Sequence, residues 1–146
     1  LDRSSAASDV YKRQQLGGII MMGLDYSALV VKRVGDEFQL QQITCHKADK
    51  KGTEDVKVLA TLAPTSADKI DYQPALHHSS YLRMVVKQGK VNFYFSKDGK
   101  SFKKVGDEFT MREGKWIGAK VGMVAQEPAG KTNRGWIDVD WFRITK

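Results

Sequence analysis

Residues 81–96 limit what this chain can fold into more than any other stretch. Every second side chain is apolar in both halves of this stretch, in the order Leu82, Met84, Val86, Val91, Phe93 and Phe95. Successive side chains of a β-strand point to opposite faces, so this alternation predicts two strands that each bury one face. The connection Gln88-Gly89-Lys90 contains a glycine, which readily adopts the positive φ that a tight turn needs. The pattern therefore predicts a β-hairpin.

Period-two patterns recur along the chain and predict an all-β protein. Further strands are predicted at two places in the last quarter and over residues 19–22, 26–33, 37–44 and 56–62. Residues 63–80 carry Pro64 and Pro74, and we expect a long loop there with at most one short strand. Seven or eight strands separated by Gly- and Asp-rich turns, with no helical periodicity, indicate an antiparallel β-sandwich.

The last quarter of the chain contains all three tryptophans and two strand-like segments. The first segment begins at Gly118 and places one set of small and apolar side chains on one face: Ala119, Val121, Met123 and Ala125. The second, residues 136–144, places Asp138 and Asp140 opposite Ile137, Val139 and Trp141. The apolar face changes at Trp141-Phe142, which predicts a β-bulge or the end of the strand.

Three motifs together carry a family resemblance. The first motif, near the end of the chain, consists of WIGAKVGMVAQ, a Gly-rich loop and IDVDWFRI. The second motif precedes it and reads VNFYFSKDGKSFKKVGDEFTM. The third motif lies near the beginning and reads LGGIIMMGLDYSALVVKR. In this order they resemble the C-terminal β-sandwich of glycoside hydrolase family 43, which includes β-xylosidases and α-arabinofuranosidases. The resemblance covers residues 16–146 and implies a concanavalin A-like jelly roll. It also implies that the chain begins inside the domain, with one or more N-terminal strands missing.

The resemblance assigns catalysis to another domain. In family 43 the catalytic carboxylates lie on a β-propeller that precedes the sandwich, so we expect no catalytic residue here. The implied role is to brace that propeller, which is the expected partner. A sandwich loop reaches the substrate pocket in such enzymes, and the matching stretch runs from Arg112 to Gly118. Trp116, with Arg112 and Lys115, is therefore a candidate for substrate-pocket or interdomain contact; ordinary packing of Trp116 is the alternative.

A second function is open because Trp136 and Tyr94 alternate away from the core-facing side chains. Aromatic side chains exposed on a sandwich face can stack on sugar rings. The alternative to a scaffold is thus a carbohydrate-binding module for xylan- or arabinan-derived oligosaccharides.

Asp138 and Asp140 share one strand face and are a candidate metal site. Carboxylate oxygens suit calcium, so a structural calcium ion is one interpretation and a solvated strand face is the other. We expect no other cofactor.

Charge and composition narrow the remaining function classes. The net charge is +7, but lysines and arginines are dispersed among acids, which favours a solvated surface over nucleic-acid binding.

Cys45 is the only cysteine, so no disulfide can form within the chain. His77 and His78 are adjacent and lack a third ligand, so we expect polar loop histidines. No apolar run is long enough to span a membrane, so no membrane partner is expected. The compartment stays open, with the bacterial periplasm or exterior favoured over the cytoplasm.

Residues 1–15 differ in character from the rest of the chain. They lack periodicity, and SSAASDVYKRQ resembles a translated sequencing-adapter sequence. We therefore expect a non-native or disordered leader without core contacts, and an accessory β-sandwich over residues 16–146.

Overall fold

The computed structural model describes the backbone of residues 4–9, 15–70, 73–112, 118–127 and 136–145, and the side chains in these ranges except 4–9, 66–77, 136 and 138. Eleven strands and one 3₁₀ turn occur in these ranges. They are β1 (Ser4–Asp9), β2 (Leu16–Met22), β3 (Tyr26–Val34), β4 (Glu37–Cys45), the 3₁₀ turn (Ala48–Lys50), β5 (Glu54–Leu62), β6 (Ser66–Ile70), β7 (Gln73–Lys87), β8 (Lys90–Ser96), β9 (Lys103–Thr110), β10 (Lys120–Gln126) and β11 (Trp136–Asp138).

The strands form two antiparallel sheets. In the first sheet the order is β11-β1-β7-β8-β9, with β6 also paired to β7; in the second it is β10-β2-β3-β4-β5. Every pairing is antiparallel. The predicted all-β sandwich is confirmed. In the described part of the chain, no helix has the length and apolar character needed to cross a bilayer.

The core lies between the two sheets, where their apolar faces meet. Its fully buried members come from both sheets: Ile19, Leu29, Phe38 and Leu40 from the second, and Leu82, Val91, Phe93 and Phe109 from the first. Each such side chain contributes about 1.5–3 kcal/mol through removal from water. The predicted hairpin is confirmed: Leu82 pairs with Phe95 and Met84 with Phe93, and Gly89 has φ 75°.

A polar bridge joins the sheets inside the sandwich. The side chain of Gln42, on β4, is buried. Its Nε2 donates to the carbonyl oxygen of Asp107 at 2.9 Å, and its Oε1 accepts from the amide of Asp107 at 2.8 Å. Gln42 therefore replaces a backbone pairing partner for β9 and links it to the opposite sheet.

The Asp-Gly turn after β8 forms as its composition predicts. Asp98 Oδ1 accepts hydrogen bonds from the amides of Ser101 and Lys100 and from the Ser96 hydroxyl, at 2.8–2.9 Å. These bonds, led by that of Ser101, lower the pKa of Asp98 to about 2. Gly99 has φ 76°, a conformation that glycine adopts without strain.

The prediction of a long loop over residues 63–80 was wrong. β6 and most of β7 lie there, and β7 runs unbroken into the hairpin. Pro74 interrupts the propensity pattern, but it sits at the second residue of β7, near its beginning. Hydrogen bonding to a neighbour on each side of β7 therefore outweighs the weak β-propensity of its first residues.

The expectation of a leader without structure also differs from what is observed. Ser4–Asp9 pairs with β7 on one side and with β11 on the other. Strand pairing uses backbone N–H and C=O groups, so a segment without large apolar residues can still pair with two open strand edges. The adapter-like origin of residues 1–15 stays a prediction.

The second C-terminal strand is shorter than predicted. β11 ends at Asp138, and residues 139–145 are not in a strand. The face assignment of β10 agrees with its register, since Val121 pairs with Met21 and Met123 with Ile19, both buried. Val121 and Met123 are nevertheless 43% and 54% exposed, because β10 is an edge strand of the second sheet.

His78 is a core residue, not the polar loop histidine that we predicted. It lies in β7 and is buried, with its ring centroid 5.4 Å from that of Phe38. Its Nδ1 is 3.0 Å from the carbonyl oxygen of Ala63. Burial lowers its pKa, which favours the neutral ring.

Candidate functional site

Several connections meet at one end of the sandwich, which we call the loop end. They are the β2–β3 turn, the β4–β5 connection, the β7–β8 turn and the chain after β9. Backbone hydrogen bonds join them: Leu24 donates to the carbonyl of Arg112 at 2.9 Å, Ala48 to Leu24 at 3.0 Å and Met111 to Gly89 at 3.0 Å. The first residue of the candidate substrate-pocket segment, Arg112, is thus attached to the second sheet.

Asp25 is the centre of the loop end. It is only 4% exposed, although it lies in a turn. The Arg112 guanidinium binds both its carboxylate oxygens, with Nε 2.8 Å from Oδ2 and Nη2 2.5 Å from Oδ1. The amide of Lys47 donates to Oδ1 at 2.6 Å, and His46 Nδ1 lies 3.3 Å from Oδ2. A two-point arginine–carboxylate contact fixes orientation as well as distance.

The charge state of this cluster follows from its hydrogen bonds. The bonds from Arg112 are the main reason why the pKa of Asp25 lies well below its ordinary value, against the opposing effect of burial. The same bonds raise the pKa of Arg112, and Asp49 lies 3.8 Å from its Nη2. Asp25 therefore stays ionised near neutral pH and is suited to anchoring, not to donating a proton.

The backbone at the loop end is tightly built. A Cβ atom on Gly23 would lie 2.2 Å from the carbonyl oxygen of Arg112, so only glycine allows this approach. Lys47 and Lys51, on either side of the 3₁₀ turn, have φ 57° and 59° in the left-handed region. Such a conformation in a non-glycine residue persists only where surrounding contacts hold it.

The structure describes one of the three residues predicted for substrate-pocket or interdomain contact. Arg112 is 47% exposed, and its guanidinium holds Asp25. Lys115 and Trp116 lie outside the described residues. Sequence reasoning missed Asp25, because it is 87 residues from Arg112 and no local pattern distinguishes it from other turn aspartates.

The structure does not place the predicted glycan-stacking residues side by side. Tyr94 is half-buried on the outer face of β8, paired with Arg83 and Lys104. Trp136 belongs to β11, and its side chain is outside the described set. β7 and β1 separate the two strands, so three strand spacings, roughly 14 Å, lie between the backbones.

Aromatic and cationic side chains do share the outer face of the first sheet. The Arg83 guanidinium carbon lies 3.6 Å from the centroid of the Phe102 ring. The rings of Tyr81 and Trp141 are 6.5 Å apart and tilted by 51°. Of these side chains, Arg83 and Phe102, together with Tyr94 opposite Arg83, could contact a sugar.

The predicted metal ligands are only partly described. Asp140 is exposed, and the side chain of Asp138 is outside the described set. Among the described side chains, no group of three His, Cys, Asp or Glu residues could hold a metal. The calcium hypothesis stays a prediction: a bound ion would make EDTA lower the melting temperature, and an unchanged melting temperature would eliminate the hypothesis.

Fold and site together define a class of protein. It is an antiparallel β-sandwich that carries a loop end held by a buried carboxylate that is ionised near neutral pH. Residues 9–145 match the model of the β-xylosidase C-terminal concanavalin A-like domain of glycoside hydrolase family 43. The chain belongs to this family.

Relatives agree with this assignment. A β-xylosidase from Formosa agariphila is 39% identical over 62 residues, which are 42% of this chain and 10% of that protein. A mutant of the GH43 protein BlXynB from Bacillus licheniformis has a similar fold, with a TM-score of 0.54, 14% identity and 92% of this chain covered. A second structure is that of a GH43 glycoside hydrolase engineered to display both endo-xylanase and exo-arabinofuranosidase activity. Its TM-score is 0.58, its sequence identity is 18%, and the match covers 92% of this chain. This chain spans only 26% and 27% of those two chains.

Proposed function

We propose that this chain braces the catalytic β-propeller of a family 43 glycoside hydrolase, and that the stretch from Arg112 to Gly118 contributes to the substrate pocket. The parent enzyme would remove xylose or arabinose units from hemicellulose. The observation that supports the proposal best is the two-point contact of Arg112 with buried Asp25. We call the propeller followed by this chain the two-domain enzyme.

The contact supports the proposal because it fixes the position from which the chain leaves β9. A side chain that completes a pocket must be held within a fraction of an ångström, which requires supporting residues behind it. Asp25, the carbonyl of Arg112 and Gly23 supply such support at the base of the stretch. A buried carboxylate held by an arginine costs desolvation and fixes local geometry, which favours a positioning role for the segment it anchors.

The chemistry of glycoside hydrolysis indicates which of the two domains cleaves the bond. The reaction uses two carboxyl groups about 5–10 Å apart, one of them with a raised pKa. Asp25 has the opposite property, since Arg112 lowers its pKa. Asp25 therefore does not suit the role of the acid, and we assign bond cleavage to the propeller, as the family resemblance implies, and positioning to this chain.

Trp116→Ala in the two-domain enzyme is expected to lower kcat/KM about tenfold, because an indole that lines the pocket contributes on the order of 1–2 kcal/mol to substrate contact. The melting temperature of the isolated chain should change little. Kinetics on a synthetic β-xyloside and a thermal melt measure the two effects.

Trp141→Ala is the matched control. Trp141 contacts Tyr81, which lies six positions along β7 from Lys87 at the loop end, or roughly 20 Å. An equal loss of kcat/KM in both variants would exclude a specific role for Trp116.

The second candidate function is glycan binding by the outer face of the first sheet, favoured by the grouping of Tyr94, Arg83 and Phe102. Isothermal titration of the isolated chain with xylo- and arabino-oligosaccharides separates the two functions. If the chain only braces the propeller, the titration releases no heat of binding. Heat that Tyr94→Ala removes would establish a carbohydrate-binding module.

A further inference from the structure

Five exposed lysines surround the loop end; together we call them the lysine surface. Three lie on the β4–β5 connection, one beside the β7–β8 turn and one at the start of β10: Lys47, Lys50, Lys51, Lys87 and Lys120. Their positions are fixed by the backbone bonds that join these connections and by the pairing of Lys120 with Met22, next to the β2–β3 turn.

The five lysines have no carboxylate partner among the residues that the structure describes. Ion pairs at the loop end use other cations: Arg112 with Asp25 and Asp49, and Lys90 with Glu108. Within the described ranges, none of the five lysines forms an ion pair. Asp49 and Glu54 at the same end offset part of this positive charge. The remaining like charges repel one another, and a partner with opposite charge relieves that repulsion.

The lysine surface is also pre-organised. Lys47 holds its left-handed conformation because its amide donates to Asp25 and its carbonyl accepts from the amides of Lys50 and Gly52, each at 2.9 Å. A left-handed non-glycine residue costs on the order of 1–3 kcal/mol and persists only where the surrounding contacts hold it. A rigid surface loses less entropy on binding than a mobile one.

Two exposed apolar side chains each adjoin one of the lysines, one in each sheet. Met22 is 49% exposed and pairs with Lys120, and Val86 is 44% exposed beside Lys87. Exposed apolar side chains bordered by charged ones are typical of protein–protein interfaces. Surfaces that follow a polyanion instead combine cations with stacking aromatic side chains.

We propose that the lysine surface docks an acidic, carboxylate-bearing face of the catalytic domain, with Met22 and Val86 in the contact. This inference rests on the bracing function proposed above and specifies the surface and the charge of the partner. Docking at the loop end also places Arg112 next to the partner. The attraction orients the two domains, since complementary charge contributes mainly to specificity and register.

The test reverses three charges in the two-domain enzyme. The variant Lys50→Glu/Lys87→Glu/Lys120→Glu changes the lysine surface without touching the left-handed residues Lys47 and Lys51. The matched control, Lys97→Glu/Lys100→Glu/Lys103→Glu, reverses three exposed lysines in and beside the β8–β9 connection, away from the loop end. Each protein is assayed for kcat/KM at low and high salt, and each isolated chain is melted.

The lysine-surface variant is expected to lose about tenfold in kcat/KM at low salt, and the control less than twofold. The difference should shrink at about 1 M salt, where the screening length falls to about 3 Å. Both isolated chains should melt within about 2 °C of the unmodified chain, because exposed substitutions have small effects on stability.

Equal effects of the two triple variants, or no effect of either, would overturn the docking surface. A second result would also overturn it. If the isolated chain binds heparin through these lysines, but charge reversal leaves kcat/KM of the two-domain enzyme unchanged, the surface binds a polyanion and not the catalytic domain. Deletion of this chain separates the two proposals. If deletion leaves activity intact, the bracing function fails; if deletion abolishes activity while charge reversal is neutral, only the docking surface fails.

Discussion

Asp25→Ala is expected to lower the free energy of unfolding by about 2–3 kcal/mol, which is roughly 5–10 °C in melting temperature for a domain of this size. The substitution removes the acceptor for two bonds from Arg112 and one from the amide of Lys47. The loss stays below that of a fully buried ion pair, because Arg112 is 47% exposed and can be solvated after the change. Urea unfolding of the isolated chain measures it.

Asp107→Ala is the control for this prediction. Asp107 also pairs with a cation, Lys57 at 3.0 Å, but both side chains are exposed, so the change should stay within about 0.5 kcal/mol. A loss no larger for Asp25→Ala than for Asp107→Ala would contradict the anchoring role.

The pH dependence of the Asp25 contribution follows from the direction of its pKa shift. The folded pKa lies below the ordinary value of 3.8, so the unfolded chain takes up the proton first as the pH falls. The contribution is therefore complete above about pH 5 and is lost progressively in stronger acid. The stability difference between the unmodified chain and Asp25→Ala should be constant from pH 5 to 8, within about 0.5 kcal/mol.

Gln42→Ala should destabilise the chain by about 3 kcal/mol, through a cavity and the loss of buried hydrogen bonds. Gln42 is the polar bridge between the sheets, bonded to both backbone groups of Asp107. Its loss should also increase hydrogen exchange of β9 more than of β3, because β9 is an edge strand that loses a partner. Denaturant melts and amide exchange measure these two effects.

Gln126→Ala provides the comparison, since Gln126 is exposed at the end of edge strand β10. We expect a change within about 0.5 kcal/mol. If Gln42→Ala is equally mild and β9 exchanges as before, the bridge does not hold the sheets together.

The hairpin and most of the second sheet were predictable from the sequence. Phe93 and Leu82 lie on the inward face of alternating strands, and the buried side of such a strand is mostly apolar. Turns such as Asp98-Gly99 are equally local, because their side-chain bonds span only two or three residues. The family motifs then identified the sandwich type.

The remaining features depend on distant parts of the chain. β1 and β6 form because neighbouring strands offer free backbone groups, and their own side chains carry little preference. Asp25 and Arg112 become a pair only when β3 and β9 are assembled into facing sheets. Gln42 occupies a core position where periodicity predicts an apolar residue, and its partner is a backbone 65 residues away.

Activity of the two-domain enzyme with and without this chain tests most directly whether the sandwich serves a catalytic partner. The measurement is kcat/KM for pentose release from a synthetic β-xyloside or α-arabinofuranoside, with the isolated chain assayed alongside. We expect deletion to lower kcat/KM at least about tenfold, and the isolated chain to release no pentose. Unchanged activity after deletion, or pentose release by the isolated chain at an enzymatic rate, would contradict the bracing function.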